Sequence, residues 1–276
     1  MTENMGKTKL RIGVIGCGTI GSQVARACQD RLKDKVELAA ICDTDKDKAV
    51  SLVKMLKKVP QILDLRDLIK RCDLVVEAAS AKISGDILSE CVRAGRDCMI
   101  MSVGGLVGRE DLLAAAKEKG AKVYIPSGAL CGVDGLKSAS AGRVDSISLT
   151  TRKPVKGLTG APYLEKNKID LSAIKDETVI FEGSAEEAIK GFPQNVNVSA
   201  VLSLAGLGAK NTRVRIVTSP QYTKNIHEVE IKGECGNIFT RTENVPSKAN
   251  PKTSELAVLS AIATLDGITN SVRVGT

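Results

Sequence analysis

The sequence predicts an α/β protein with two parts: a doubly wound parallel sheet, then an α+β second domain with an open, mainly antiparallel sheet. Three observations predict it. Up to Ile125, short apolar runs alternate with helical patterns across short loops. Beyond Ile125, period-two alternation dominates and two helical stretches interrupt it. The 276 residues are also enough for two modest domains, each with a buried core. The expected division is a dinucleotide-binding domain over residues 1–126 and a substrate-binding and dimerisation domain over 127–250, with a C-terminal helix over 252–266 that packs back on the first.

The first strand, Ile12 to Ile15, runs into Gly16, Gly18 and Gly21 in G-x-G-x-x-G spacing, and a helix follows with Ile20, Val24 and Ala27 on one face. Each glycine has its own reason to lack a side chain. Gly16 permits the tight turn, Gly18 lets a pyrophosphate approach the backbone, and Gly21 lets the helix pack on the strand. Thr19, Ile20 and Gly21 then present the unpaired N–H groups and positive dipole end of a helix N-terminus. A second apolar run, Val36 to Ile41, leads to Asp43, twenty-two residues beyond Gly21. There a carboxylate accepts hydrogen bonds from an adenosine ribose. This is a Rossmann-type dinucleotide site.

The remaining elements of the first half follow in order. Lys46 to Lys57, Leu63 to Lys70, Ser84 to Ala94 and Arg109 to Lys119 read as helices. The continuous apolar run of Asp73 to Ala79 reads as a buried strand, and Cys98 to Ser102 and Lys122 to Ile125 as two more. Pro126 to Gly132 is a loop. Val144–Arg152, Thr178–Gly183, Thr212–Thr218, Ile226–Lys232 and Asn237–Thr242 alternate as strands, the last two joined through Gly233-Glu234-Cys235-Gly236 as a hairpin. Ser184 with Glu187 forms a capping box for one helix, and Asn195 to Leu204 makes another.

The chain has a single histidine, His227. In KNIHEVEI, His227, Val229 and Ile231 alternate with Ile226, Glu228 and Glu230, which puts His227 on the apolar face. Two readings stay open here: a hydrogen-bonded core histidine, or an acid/base group looking into a cleft, for which an ordinary pKa of roughly 6.5 suits oxidation of an amine or alcohol. Asn195 in FPQNVNVSA is likewise either a helix cap or an amide that meets the nicotinamide end of a cofactor.

Composition excludes several classes. The formal charge of +8 is spread along the chain with few aromatics, so no nucleic acid is expected and an anionic small molecule suits the field as well. No apolar run approaches the ~20 residues of a membrane span, and residues 1–9 lack a secretory apolar core, so the expected setting is cytoplasmic, with no membrane partner. Eight cysteines with no C-x-x-C pair point to reduced, mostly buried thiols, and no metal site is expected. Serine-hydrolase and P-loop motifs are missing.

Read in order, Ile15–Gly21, Asp73–Ser80, Ser102–Gly105, Ile125–Leu130, Phe192–Ala200 and Asn225–Glu228 resemble the L-aspartate dehydrogenase family over nearly the whole chain. The glycine loop is common to many dehydrogenases; PSGA, FPQNVNVSA and NIHE carry the specificity. The resemblance implies oxidation of L-aspartate by NAD or NADP to iminoaspartate, which hydrolyses to oxaloacetate and ammonia or passes to NAD biosynthesis. It implies Ala129 and Asn195 as cofactor positions, His227 as the catalytic residue, and a homodimer paired through the second domain. Asp43 favours NAD by repelling a 2′-phosphate, while Lys46 and Lys48 leave NADP open. Lys137, Arg152 and Lys153 are available for the substrate carboxylates. The rivals are a dehydrogenase of the homoserine dehydrogenase or dihydrodipicolinate reductase type and a non-catalytic NAD(H)-sensing protein.

Overall fold

The computed structural model describes residues 8–193, 197–248 and 250–276, and the chain divides into two compact units. The first takes residues up to Ile100, Asp111–Tyr124 and Ile262–Val272; the second takes Met101–Glu110, Ile125–Ala261 and Arg273–Thr276.

In the first unit strands and helices alternate: β1 (Leu10–Ile15), α1 (Thr19–Gln29), β2 (Val36–Cys42), α2 (Lys46–Lys54), β3 (Gln61–Ile62), α3 (Leu65–Arg71), β4 (Leu74–Glu77), α4 (Ala81–Arg93), β5 (Asp97–Ile100), α5 (Glu110–Lys119) and β6 (Val123–Tyr124). The six strands form one parallel sheet in the order β3-β2-β1-β4-β5-β6. The order reverses beside β1, the switch point at which such sheets take ligands. β4 is buried along its whole length, as befits a central strand covered on both faces: its apolar Leu74–Val76 run is followed by a buried Glu77, whose Oε1 accepts from the Ala79 N–H at 2.7 Å. Asp45 caps α2 by accepting from the Asp47 and Lys48 N–H groups, and Asp64 caps α3 through the Asp67 N–H. The two-residue β3 was not anticipated; a strand that short leaves no periodicity to read.

The second unit contains α6 (Val133–Ala139), β7 (Val144–Pro154), α7 (Pro162–Lys166), β8 (Thr178–Ser184), α8 (Ala185–Gly191), α9 (Asn197–Ala205), β9 (Thr212–Ser219), β10 (Asn225–Gly233), β11 (Gly236–Asn244), β12 (Pro246–Ser247), β13 (Asn250–Ser254) and the start of α10 (Glu255–Thr269). Its five-stranded sheet runs β11-β10-β7-β9-β8. Three of the pairings are antiparallel, and β7–β9 is parallel. A parallel pair needs a long crossover, which the segment through β8, α8 and α9 supplies. The capping box on α8 forms as the sequence indicates, Ser184 and Glu187 each holding the other's backbone N–H. Helix α6 falls where alternation was expected to follow the loop directly, and α7 lies between the strands expected at Val144–Arg152 and Thr178–Gly183, where no element was anticipated. Aliphatic side chains from β7, β9 and β10, with Phe181, Phe192 and Tyr163 in ring contact, make the core.

The stretch Met101–Glu110 belongs to the second unit although it follows β5 directly. Val103 is part of that unit's buried cluster, and the Gly104 N–H donates to Asn197 Oδ1 at 3.1 Å. Among the described residues no helix is long and apolar enough to cross a membrane.

Candidate active site

The glycine loop leaves β1 at Gly16, whose φ of +93° suits only glycine, and a Cβ there would stand 2.5 Å from the Ala78 carbonyl oxygen. A Cβ on Gly21 would stand 1.8 Å from the Gly16 carbonyl, so α1 could not sit this close to the loop with any other residue. Around the Cβ position of Gly18 there is open space. The turn, the close packing and the clear approach are the three properties a pyrophosphate cradle needs. α1 starts at Thr19 with no side-chain cap and no acidic residue in its first turn, so the N–H groups of Thr19, Ile20 and Gly21 remain for an anion.

Beside the loop lies a pocket of about 480 Å³, lined by Gly16, Gly18, Asp43, Thr44, Lys48 and the Ala78–Ser80 turn among others. It opens at the carboxyl ends of β1, β2 and β4. Asp43 Oδ2 accepts from the Cys17 N–H at 2.7 Å and Oδ1 from the Asp45 N–H at 2.8 Å, which ties the end of β2 to the glycine loop. Each oxygen keeps a second lone pair for a ribose hydroxyl. Of the two lysines considered for a 2′-phosphate, Lys48 lines the pocket, and it also pairs with Asp45 at 3.5 Å. Burial first, then Asp43, pushes the Cys17 thiol up to about 12 and keeps it protonated. Loop, uncapped helix end and pocket together fit a dinucleotide.

The second unit holds His227 and Ala129. His227 is 3% exposed on β10, with Val229 and Ile231 on the same buried face, as the alternation predicts. It pairs with Thr151 on one side and Thr242 on the other. A 2.8 Å hydrogen bond joins His227 Nδ1 and Thr151 Oγ1. Burial first, and then the positive charge of Lys153, push the imidazole down to about 3 and leave it neutral near pH 7.

The loop that carries Ala129 is fastened to β11 at alternate positions. Thr240 Oγ1 donates to the Cys131 carbonyl at 3.1 Å, Thr242 Oγ1 to the Ala129 carbonyl at 3.3 Å, and Asn244 Nδ2 to the same Ala129 carbonyl at 3.1 Å. Thr242 Oγ1 also reaches the His227 carbonyl at 3.3 Å. One threonine thus links the Ala129 loop to the histidine's strand. Thr151, Thr242 and Asn244 are polar residues of this sheet end that sequence reasoning did not name, and Lys153 was named only as one of three available cations; period-two pairing with the strand of His227 is the signal that could have singled them out.

The predicted residues therefore gather in two places. Gly16, Gly18, Thr19, Ile20, Gly21 and Asp43 form one constellation in the first unit, and Ala129 and His227 another in the second. Asn195 lies outside the described residues. Among the described residues no group of three or more His, Cys, Asp and Glu could hold a metal ion.

Comparison with known proteins follows the same division. Residues 134–268 match the family model described as "Aspartate dehydrogenase, C-terminal", and residues 16–126 match "Homoserine dehydrogenase, NAD binding domain". The chain is 47% identical to an L-aspartate dehydrogenase of Methanosarcina acetivorans, over 97% of this chain and 100% of that protein. A second relative of that name, from Methanosarcina mazei, gives the same identity and coverage. Among solved structures, an aspartate dehydrogenase from Thermotoga maritima superposes with a TM-score of 0.74 at 27% identity, covering 96% of this chain and 99% of that one.

Proposed function

Because this chain belongs to the aspartate dehydrogenase family, we propose that it oxidises L-aspartate at the α-carbon with NAD(P). The bound nicotinamide supplies a hydride acceptor. The balance is L-aspartate plus NAD⁺ giving iminoaspartate, NADH and a proton: the hydride leaves the α-carbon, and the nitrogen gives up the proton as the C=N bond forms. Water then adds to the imine and releases oxaloacetate and ammonia.

The protein's own part divides between the two constellations. The N–H groups at the start of α1 hold the pyrophosphate over Gly18, and Asp43 holds the adenosine ribose. Ala129 and Asn195 shape the nicotinamide end. His227 takes the proton from the substrate amine. With its proton on Nδ1 and donated to Thr151, the ring keeps a lone pair on Nε2 for this work. The observation that supports this role is a buried, neutral histidine whose orientation is set by a hydrogen bond and whose strand is tied to the Ala129 loop.

Replacing His227 by Asn tests the assignment. Turnover of L-aspartate, followed by NADH absorbance, is expected to fall about 10³-fold while NADH binding stays unchanged. Normal turnover in this variant would remove His227 from the mechanism. NADH binding by the wild type without L-aspartate oxidation would favour a sensor.

The reading extends to the protein's setting. Eight free cysteines, Cys131 and Cys235 among them exposed, fit a reducing cytoplasm. Exposed apolar side chains along and after β11 support a homodimer paired through the second unit. The iminoaspartate, if captured before hydrolysis, feeds NAD biosynthesis.

A further inference from the structure

Three cations could meet a substrate carboxylate, and their surroundings separate them. Lys137 Nζ donates to the Thr276 backbone oxygen at 2.6 Å. Arg152 is engaged by Glu228 and, at 3.6 Å, by Glu177, on the face of β7 opposite His227. Lys153 is different. It is 7% exposed, lies on the same face as Thr151, and makes no side-chain hydrogen bond or ion pair among the described residues. Burial lowers its ammonium to about 8, so it still carries its charge at neutral pH. A buried cation without an anion is costly unless a ligand supplies the anion.

Asn244 shows the complementary deficiency. It is 2% exposed, and its Nδ2 is committed to the Ala129 carbonyl, which fixes the amide's orientation because the flipped form would set two oxygens face to face. Its Oδ1 is left buried with no donor. β-pairing puts Asn244 opposite Asn225, two residues along from His227, while Lys153 follows Thr151, the partner of His227, by two. An unpaired cation and an unpaired acceptor therefore flank the histidine on one face of the sheet. They complement a molecule that carries an anion and an N–H donor.

We infer that Lys153 receives a carboxylate of the amino-dicarboxylate substrate and that Asn244 Oδ1 accepts a hydrogen bond from its α-amino group, holding the nitrogen against His227. This rests on the proposed oxidation of L-aspartate. It has a consequence for the base. Lys153 is the charged side chain that acts on His227; Thr151 from β7 and Thr242 and Asn244 from β11 are uncharged, and Arg152 and Glu228 lie on the other face. A carboxylate on Lys153 offsets that charge and makes His227 a stronger base as the substrate arrives.

The test joins kinetics to an NMR titration of the imidazole, whose signal is unambiguous because the chain has one histidine. In Lys153→Met, and in Lys153→Gln should the first not fold, KM for L-aspartate is expected to rise about 100-fold with NADH affinity within about twofold of wild type. Lys153→Arg recovers part of the loss. Ethane-1,2-disulfonate, a dianion that stays charged through this titration, raises the His227 midpoint by about one pH unit in the wild type and not in Lys153→Met, while uncharged succinamide moves neither. An unchanged KM in a folded Lys153→Met that oxidises L-aspartate overturns the inference, and so does an equal response to the disulfonate in both proteins. A wild type that fails to oxidise L-aspartate overturns the proposed function instead, and the disulfonate comparison then decides the role of Lys153 alone.

Discussion

Asp43 does two things that a single substitution separates. Its carboxylate accepts from the backbone of the glycine loop and of the turn before α2, and it also lines the pocket where a ribose would sit. Asp43→Ala is expected to weaken NADH binding about tenfold and to bring the kcat/KM values for NAD and NADP closer together, since the repulsion of a 2′-phosphate goes with it. An unchanged ratio in steady-state assays with the two cofactors would remove Asp43 from the choice between them. The glycines were legible one by one in the sequence because each constraint is local: a turn, a close approach, a clear path. Lys153 was not. In the sequence it stands beside Arg152 as an equal, and only the pairing of Thr151 with His227 shows which of the two shares the histidine's face. The orphaned oxygen of Asn244 was still further from view, because it depends on an amide fixed by a carbonyl more than a hundred positions away.

β11 shows what an element leaves open. It is an edge strand of the second sheet, so one side of its backbone is unpaired. Phe239 on this strand is 64% exposed, and Val245 just past its end is 61% exposed. Burying such groups against a second copy removes both liabilities. Phe239→Glu is expected to halve the mass measured by light scattering at micromolar protein; a mass unchanged from a dimeric wild type would show that the pairing runs elsewhere. Alternation made β7 through β11 visible, and the Gly233–Gly236 turn announced the hairpin. It could not show that β7 and β9 run parallel, since alternation encodes the face a residue occupies and not the direction of the neighbouring strand. α6 and α7 escaped because helices of seven and five residues give too few turns for a period of 3.6 to register.

At the scale of the whole molecule, the first unit is assembled from distant parts of the chain. Ile262 and Leu265 of α10 are buried, and Lys35 Nζ donates to Asp266 Oδ1 at 2.5 Å and to Asn270 Oδ1 at 2.7 Å. The ammonium holds the Asp266 carboxyl below its usual range. A chain ending at Ala261 forfeits these contacts and is expected to melt more than about 10 °C lower, with weaker NADH binding, as read by calorimetry and fluorescence titration. Unchanged melting would show that the segment is dispensable to this unit. The arrangement also sets an order of events on the ribosome. The glycine loop emerges almost at once, yet Asp266 follows Lys35 by 231 positions. The second unit's buried cluster, drawn from Val103 to Ile231, is already synthesised before that partner is made. The half that is translated first therefore stays unfinished until the chain is nearly complete, its six strands made long before its final helical segment.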